Sequence, residues 1–320
     1  MTVIELLGGT KMKSEKITTI GITSFNRMKY FRALMKSLEC LPREKYEIIV
    51  VDNCSTEVGL QDYILDLRAK KKIDAAIIRS PKDRNWINDE YVAKNLIIQY
   101  AKTDTIIFLQ DDLQFIGSHN ILESLVKEFL QLPFPCLEMN GIRTCSNQDR
   151  YRSNRNFSSN AGNRYWASDD NHFQTMGLFD ARVFSELGEY PVDWPVEKEY
   201  WGRSEDFYDA RFKEKFPNTQ INVSCHIPLF LPVWNDPRGG YAFIRGNKRY
   251  GEYSDPIDTT GLYYDHLTEK EYKSLTDKKA ACSFVDVAKP LGWNYRKTQD
   301  GDQFKYSQNE IVKNEEGCPF

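Results

Sequence analysis

Four short segments of this chain group polar side chains in ways that can do chemistry. Thr23-Ser24-Phe25-Asn26-Arg27, Asp52-Asn53-Cys54-Ser55 and Gln110-Asp111-Asp112 each close an apolar run, and Ser204-Glu205-Asp206 opens a helical pattern. Adjacent carboxylates such as Asp111 and Asp112 offer hard oxygen ligands to Mn2+ or Mg2+, leaving coordination positions open for phosphate oxygens. The plainer alternative is an acidic turn, since Asp is a common turn former. Glu205 and Asp206 likewise suit either proton transfer or a simple helix start, where acids are favoured by the helix dipole.

The elements that must hold these groups are legible as alternating periodicities. Thr18 to Ser24 is a strand-length apolar run, and Met28, Phe31, Leu34, Met35 and Leu38 then recur at helical spacing until Pro42. Residues 47–52 (EIIVVD) predict a strand buried on both faces. A helix through Leu60, Tyr63, Ile64 and Leu67 follows, then a strand over 73–78, a helix over 88–101, a strand over 105–109 and a helix through Ile121, Leu122, Leu125 and Phe129. This rhythm predicts an α/β fold with a mainly parallel central sheet flanked by helices. Ligands of such sheets sit outside the carboxyl ends of the strands, which brings the first three polar segments to one edge. Beyond Pro133, a strand is expected near 136–140 and a long polar loop over 141–171. Another strand near 175–179 and helices over 182–187 and 204–216 follow.

Several classes are excluded. A dinucleotide-binding turn needs glycines after the first strand, and Ser24-Phe25-Asn26-Arg27 has none; no Gly-x-x-x-x-Gly-Lys-Ser/Thr loop is present. The 320 residues carry Lys+Arg 43 against Asp+Glu 46, a net charge of -3 with pI ≈ 5.9, unlike a generally basic nucleic-acid binder. No run is long enough to span a membrane, and the opening MTVIELLGGTKMKSEK lacks a secretory leader's pattern. Seven scattered cysteines without a Cys-x-x-Cys pair suggest a reduced, cytoplasmic setting, with peripheral membrane contact left open.

ITTIGITSFNR, EIIVVDNCSTE and TIIFLQDDL, in this order, resemble the nucleotide-binding half of family-2-type glycosyltransferases with the GT-A fold. Tyr91-Val92-Ala93-Lys94-Asn95 resembles that family's Ala-Arg-Asn helix start. MGLFDARVFSELGEY followed by WGRSEDFYDARF resembles its Gly-rich turn and Glu-Asp pair. The likeness covers about residues 17–236 and implies a Rossmann-like GT-A domain over 17–235. Its nucleotide-binding half would be 17–130 and its acceptor half 131–235, with a tail over 1–16 and an extension over 236–320.

The resemblance implies an inverting glycosyltransferase using a nucleotide-diphospho-sugar and a divalent metal. Asp206 would be the base and Glu205 would bond acceptor hydroxyls. Asp52 is an acceptor-only group when ionised, so it can take the N3–H of uracil; guanine also offers such a donor and cytosine does not. A helix-capping role over Ser55-Thr56-Glu57 stands beside that reading. Thr23 and Phe25 fall at the base or ribose or in packing, Arg27 near phosphate, and Asn26 and Asn95 on the donor side. Gln110 replaces the first acid of the family's Asp-x-Asp. That moves the metal to Asp112, with Asp111 toward the ribose, and leaves His226 or Asp236 as a late ligand. Trp166, Trp201 and Gly202 would line the acceptor side, since sugar faces pack on aromatic rings. The loop with Arg143, Arg150, Arg152, Arg155 and Arg164 is either a solvated lid or a grip on an anionic acceptor. The acceptor would be a hydroxyl of a glycan or glycolipid. Alternatives are a nucleic-acid base, a nucleotidyltransferase, and a non-catalytic sugar-nucleotide-binding module.

Overall fold

The computed structural model describes residues 4–5, 15–83, 89–132, 134–139, 156–158, 164–167, 177–192, 203–217, 223–232 and 266–277. Among these, the side chains of 4–5, 83, 156–158, 164, 166–167, 203–207, 209, 224 and 231–232 are outside the description.

The chain runs β1 (Ile4–Glu5), β2 (Thr18–Ser24), α1 (Met28–Ser37), β3 (Tyr46–Asp52), α2 (Leu60–Ala69), β4 (Ala75–Ile78) and α3 (Asp89–Tyr100). It continues through β5 (Thr105–Gln110), β6 (Leu113–Phe115), α4 (His119–Phe129), β7 (Cys136–Leu137), β8 (Asn156–Ser158) and β9 (Arg164–Ala167). Then come β10 (Gly177–Asp180), α5 (Ala181–Leu187), α6 (Arg203–Lys215), β11 (Val223–Cys225), β12 (Phe230–Pro232) and α7 (Glu269–Thr276). The main sheet has the order β1-β4-β3-β2-β5-β10-β7, with β2 to β5 mutually parallel and β10 antiparallel beside β5. Two small antiparallel sheets, β11-β9-β8 and β12-β6, complete it.

β2 and β3 are buried along their whole lengths, which is why their sequences read as nearly unbroken apolar runs. Strand alternation divides the core into two layers. Ile48, Val50, Ile107 and Leu109 pack with α1, α2 and α4 on one face; Ile49, Val51, Ile106 and Phe108 pack with α3, α5 and α6 on the other. Gly21 permits the close approach of α3, because a Cβ there would lie 2.3 Å from Ile97 Cγ2.

The expected loop over 141–171 is corrected in part, since β8 and β9 pair within it, with Phe157 opposite Tyr165. Strands of three and four residues in polar surroundings are too short to show a period. β6, β11, β12 and α7 also escaped the periodicity reading.

Candidate active site

Register fixes the edge. Ser24 pairs with Asp52, and Thr23 with Gln110, so β2, β3 and β5 end level with one another. The loops beyond them are stapled together. Asn26 adopts a φ of 49°, a left-handed conformation that Asn tolerates. Its Oδ1 accepts the backbone N–H groups of Thr56 (2.7 Å) and Glu57 (2.9 Å), and its own N–H donates to Ser55 Oγ at 3.0 Å. Asn26 thus ties its own loop to the one that follows β3.

Asp52 is fully buried. Its Oδ2 accepts from the Ser55 N–H (3.1 Å) and Gln61 Nε2 (2.8 Å), while Oδ1 has no partner. Burial raises its pKa, opposed by those bonds and by the charge of Arg79. Arg79 pairs with Asp89 at 2.9 Å and bonds Asn53, tying the start of α3 to the end of β3.

Asp111 and Asp112 lie just past β5, 3% and 6% exposed. Asp111 Oδ2 accepts from the Phe25 N–H (2.9 Å) and Ser24 Oγ (3.1 Å). One guanidinium nitrogen of Arg27 reaches both Asp112 Oδ2, at 2.5 Å, and Asp111 Oδ1, at 3.3 Å. Burial pushes the Asp111 carboxyl up to about 7, with Arg27 opposing the rise and Asp112 adding to it. Asp112 Oδ1 is buried without a partner. Arg27, expected near phosphate, therefore sits on the carboxylates.

Gln110 Nε2 donates to Glu90 Oε1 at 3.1 Å, and Glu90 pairs with the buried Lys94 at 2.8 Å. Burial acts to raise the Glu90 pKa, but Lys94, Gln110 and Arg27 outweigh it and hold the carboxyl below its usual range. The Lys94 ammonium lies 5.3 Å from the Tyr91 ring centroid and 5.8 Å from that of Tyr190. The sequence reading takes in Lys94 only as part of the Tyr91–Asn95 segment and passes over Glu90, although their i,i+4 spacing is a recognisable charge-pair signal. Asn95 differs from expectation: both ends of its amide hold the Tyr190 backbone, each at 2.8 Å. Thr23 Oγ1 donates to the Leu109 carbonyl at 3.4 Å, and Phe25 is half-buried.

Tyr190 stacks on Tyr208 of α6 with centroids 4.2 Å apart. The Tyr208 hydroxyl donates to the Gly188 carbonyl, and Arg211 donates to that of Leu187 at 2.7 Å. Glu205 and Asp206 fall in the first turn of α6, and Trp166 in β9; their side chains are outside the described residues. Trp201, Gly202 and Asp236 lie outside the described residues altogether, as do Arg143, Arg150, Arg152 and Arg155. His226 is buried, and its Nε2 donates to the Leu275 carbonyl at 3.2 Å, the arrangement of a structural histidine. Among the described residues no group of three or more His, Cys, Asp or Glu is placed to hold a metal. Leu113 pairs with Pro232, so β12 ends beside Asp112.

A buried acceptor-only group at one strand end and a carboxylate pair at another can hold a base and a cation-bound diphosphate on one sheet edge. No described helix is long and apolar enough to cross a membrane. No curated protein sequence matches this chain.

Among solved structures, TarS of S. aureus is similar with a TM-score of 0.48 at 13% identity, covering 68% of this chain and 36% of that one. Its 1–349 form in complex with UDP gives 0.48 at 13%, over 70% of this chain and 62% of that one. The mannosyltransferase PcManGT from Pyrobaculum calidifontis, in complex with GDP-Man and Mn2+, gives 0.49 at 14%, over 99% and 79%. This chain thus spans little more than a third of TarS. The sequence profile described as Glycosyl transferase family 2 matches residues 19–226, about two thirds of the sequence. The chain therefore belongs to glycosyl transferase family 2, on the α/β GT-A fold.

Proposed function

We propose that the chain is a glycosyltransferase that transfers a sugar, with inversion, from a nucleotide-diphospho-sugar to a hydroxyl of a glycan or glycolipid, and that the donor is a UDP-sugar. One observation carries the reading. Asp52 Oδ1 and Asp112 Oδ1 are buried carboxylate oxygens without partners on strand ends that register level with one another. A buried unsatisfied acceptor is costly, and a ligand that supplies a donor or a cation removes the cost.

Asp52 takes the N3–H of uracil, as acceptor-only chemistry supports. Thr23 and Phe25 border the base, Asp111 lies toward the ribose, and Arg27, which rests on Asp111 and Asp112, is within the same strand-end loop for a diphosphate to recruit. Asp112 fits Mn2+ or Mg2+ as a hard oxygen ligand, with Asp236 as the late ligand because β12 ends beside Asp112. The cation, when bound, offsets charge on the departing diphosphate.

Asp206 removes the acceptor proton as the hydroxyl attacks the anomeric carbon, and Glu205 orients the acceptor against Trp166, Trp201 and Gly202. The Arg-rich segment 143–164 suits an anionic acceptor. Residues 17–235 form the catalytic domain in this reading, which keeps the enzyme cytoplasmic and peripheral where its acceptor is lipid-linked.

The test is thermal stabilisation and slow donor hydrolysis across UDP- and GDP-sugars with and without Mn2+. Stabilisation by a UDP-sugar that needs Mn2+ is expected, and a flat response to every nucleotide sugar overturns the reading. Asp206→Asn should keep donor binding while transfer falls about 10²–10⁴-fold; retained turnover removes it as the base.

A further inference from the structure

We propose that Arg27 is a built-in counter-cation that competes with the divalent metal for Asp112 and yields only when a diphosphate arrives with it. The inference rests on the metal-dependent donor reading above. Arg27 immediately precedes α1 in a non-helical conformation, φ -139° and ψ 49°, on the loop that Asn26 staples to Ser55, Thr56 and Glu57. That anchoring aims its side chain at the end of β5.

Its nitrogen lies 2.5 Å from Asp112 Oδ2 and 3.3 Å from Asp111 Oδ1, and Ser24 and Phe25 hold Asp111 Oδ2. Three of the pair's four oxygens are thus engaged, two of them by Arg27. The fourth, Asp112 Oδ1, is buried and bare. Two adjacent buried carboxylates need compensating charge. With both carboxylates ionised, as at pH 8, one guanidinium leaves them a charge short, and the pair can still attract a cation.

A bare divalent cation approaching Asp112 Oδ1 meets the guanidinium on the same carboxylate and is repelled. A cation carrying a diphosphate brings negative charge with it and offers Arg27 a new partner, since a guanidinium grips phosphate oxygens as well as it grips carboxylates. The exchange is one of ion pairs alone. Arg27 would leave Asp112 for the phosphate, freeing Asp112 to hold the cation, with no covalent bond made or broken. Metal and nucleotide then bind together and each poorly alone, which keeps the site from filling with unproductive metal.

The experiment measures Mn2+ binding by electron paramagnetic resonance and calorimetry at pH 8 on the full chain. Wild type, Arg27→Gln, Arg27→Lys and Asp112→Asn are compared, each with and without UDP or GDP. Wild type should bind Mn2+ weakly alone and about tenfold or more tightly with the diphosphate. Arg27→Gln should bind Mn2+ alone about tenfold more tightly than wild type, the scale of removing one nearby positive charge, and gain less from nucleotide.

Arg27→Lys should lie between them, because an ammonium on a shorter stem engages two carboxylates less well. It carries the test if Arg27→Gln does not fold: an Arg27→Lys affinity at or below wild type then overturns the inference. Nucleotide-dependent Mn2+ uptake that Asp112→Asn abolishes, without any nucleotide-free gain in Arg27→Gln, overturns this inference and leaves the donor reading standing. No Mn2+ uptake by any form overturns both.

Discussion

At the scale of single residues, Asp52 has the most sharply defined chemistry. Its Oδ2 is claimed by two donors, the Ser55 N–H and Gln61 Nε2, so only Oδ1 is available to a base. Those two donors also dictate what an amide would do there. In Asp52→Asn the side-chain oxygen must stay on Ser55 and Gln61, which puts Nδ2 where Oδ1 stood. The N3–H of uracil would then face a donor, while the N3 of cytosine would gain one. UDP binding should weaken by about 1–3 kcal/mol, roughly 5–150-fold, and CDP should improve relative to UDP. Displacement titrations with UDP, GDP and CDP check this; an unchanged UDP affinity would remove Asp52 as the base acceptor. The same attention to partners shows what Asn26 and Asn95, whose positions in the sequence suggest donor contacts, hold in the fold. Both are polar and close to the edge; each side-chain oxygen accepts from backbone N–H groups, and the Asn26 amide nitrogen donates to Thr56 Oγ1.

At the scale of elements, Asn95 is a clamp between α3 and the turn after α5. Asn95→Ala would leave the buried N–H and C=O of Tyr190 unpaired, a cost of about 1–3 kcal/mol for each group left unsatisfied. Tyr190 stacks on Tyr208, two residues beyond Asp206, so the damage should reach the first turn of α6. Transfer should therefore fall more than donor binding, and equal losses in both would argue against this linkage. A second tie holds α4, where Glu123 accepts from Lys127 at 2.6 Å and Lys45 at 2.9 Å. These contacts, with burial opposing, bring its pKa down to about 2. A carboxyl lowered on folding contributes stability above its ordinary range and loses it as pH falls through the folded value. Glu123→Gln should accordingly flatten the decline of the melting temperature between about pH 5 and pH 2; a decline as steep as wild type would show the tie is idle. The elements themselves were legible where periodicity had room to repeat. β2 is observed at the limits read from TTIGITS, and α1, α2, α3 and α4 lie where their apolar spacing puts them. What escaped notice was short or non-local: the strands β6, β11 and β12, and the hold of Arg27 on residues 84 and 85 positions away. Charge pairing across such separations leaves no pattern in a linear chain.

At the scale of the whole molecule, the segment beyond residue 236 is fastened to the domain that the family profile covers. The Leu267 N–H donates to the Ile116 carbonyl at 2.6 Å, and His266 Nε2 donates to the Ser37 carbonyl at 2.8 Å. Leu267 and Leu275 are 1% and 2% exposed, and the Leu275 carbonyl receives the His226 hydrogen bond. α7 is itself well started, with Thr268 and Glu271 forming a reciprocal capping box. An eight-residue helix is nonetheless too short to be stable alone. Its order must come from the surface it covers, where Tyr272 packs against the core and the His266 ring just before α7 meets Phe115. The dependence is mutual, so damage to α7 should be felt in the catalytic domain. Leu275→Ala in the full chain should cost about 2–5 kcal/mol, as for a buried leucine in a packed core. It should lower the midpoint of a single urea transition followed by tryptophan fluorescence and by circular dichroism. If the main transition stays in place and only a separate minor one moves, α7 is an appendage, and the catalytic domain is stable without it.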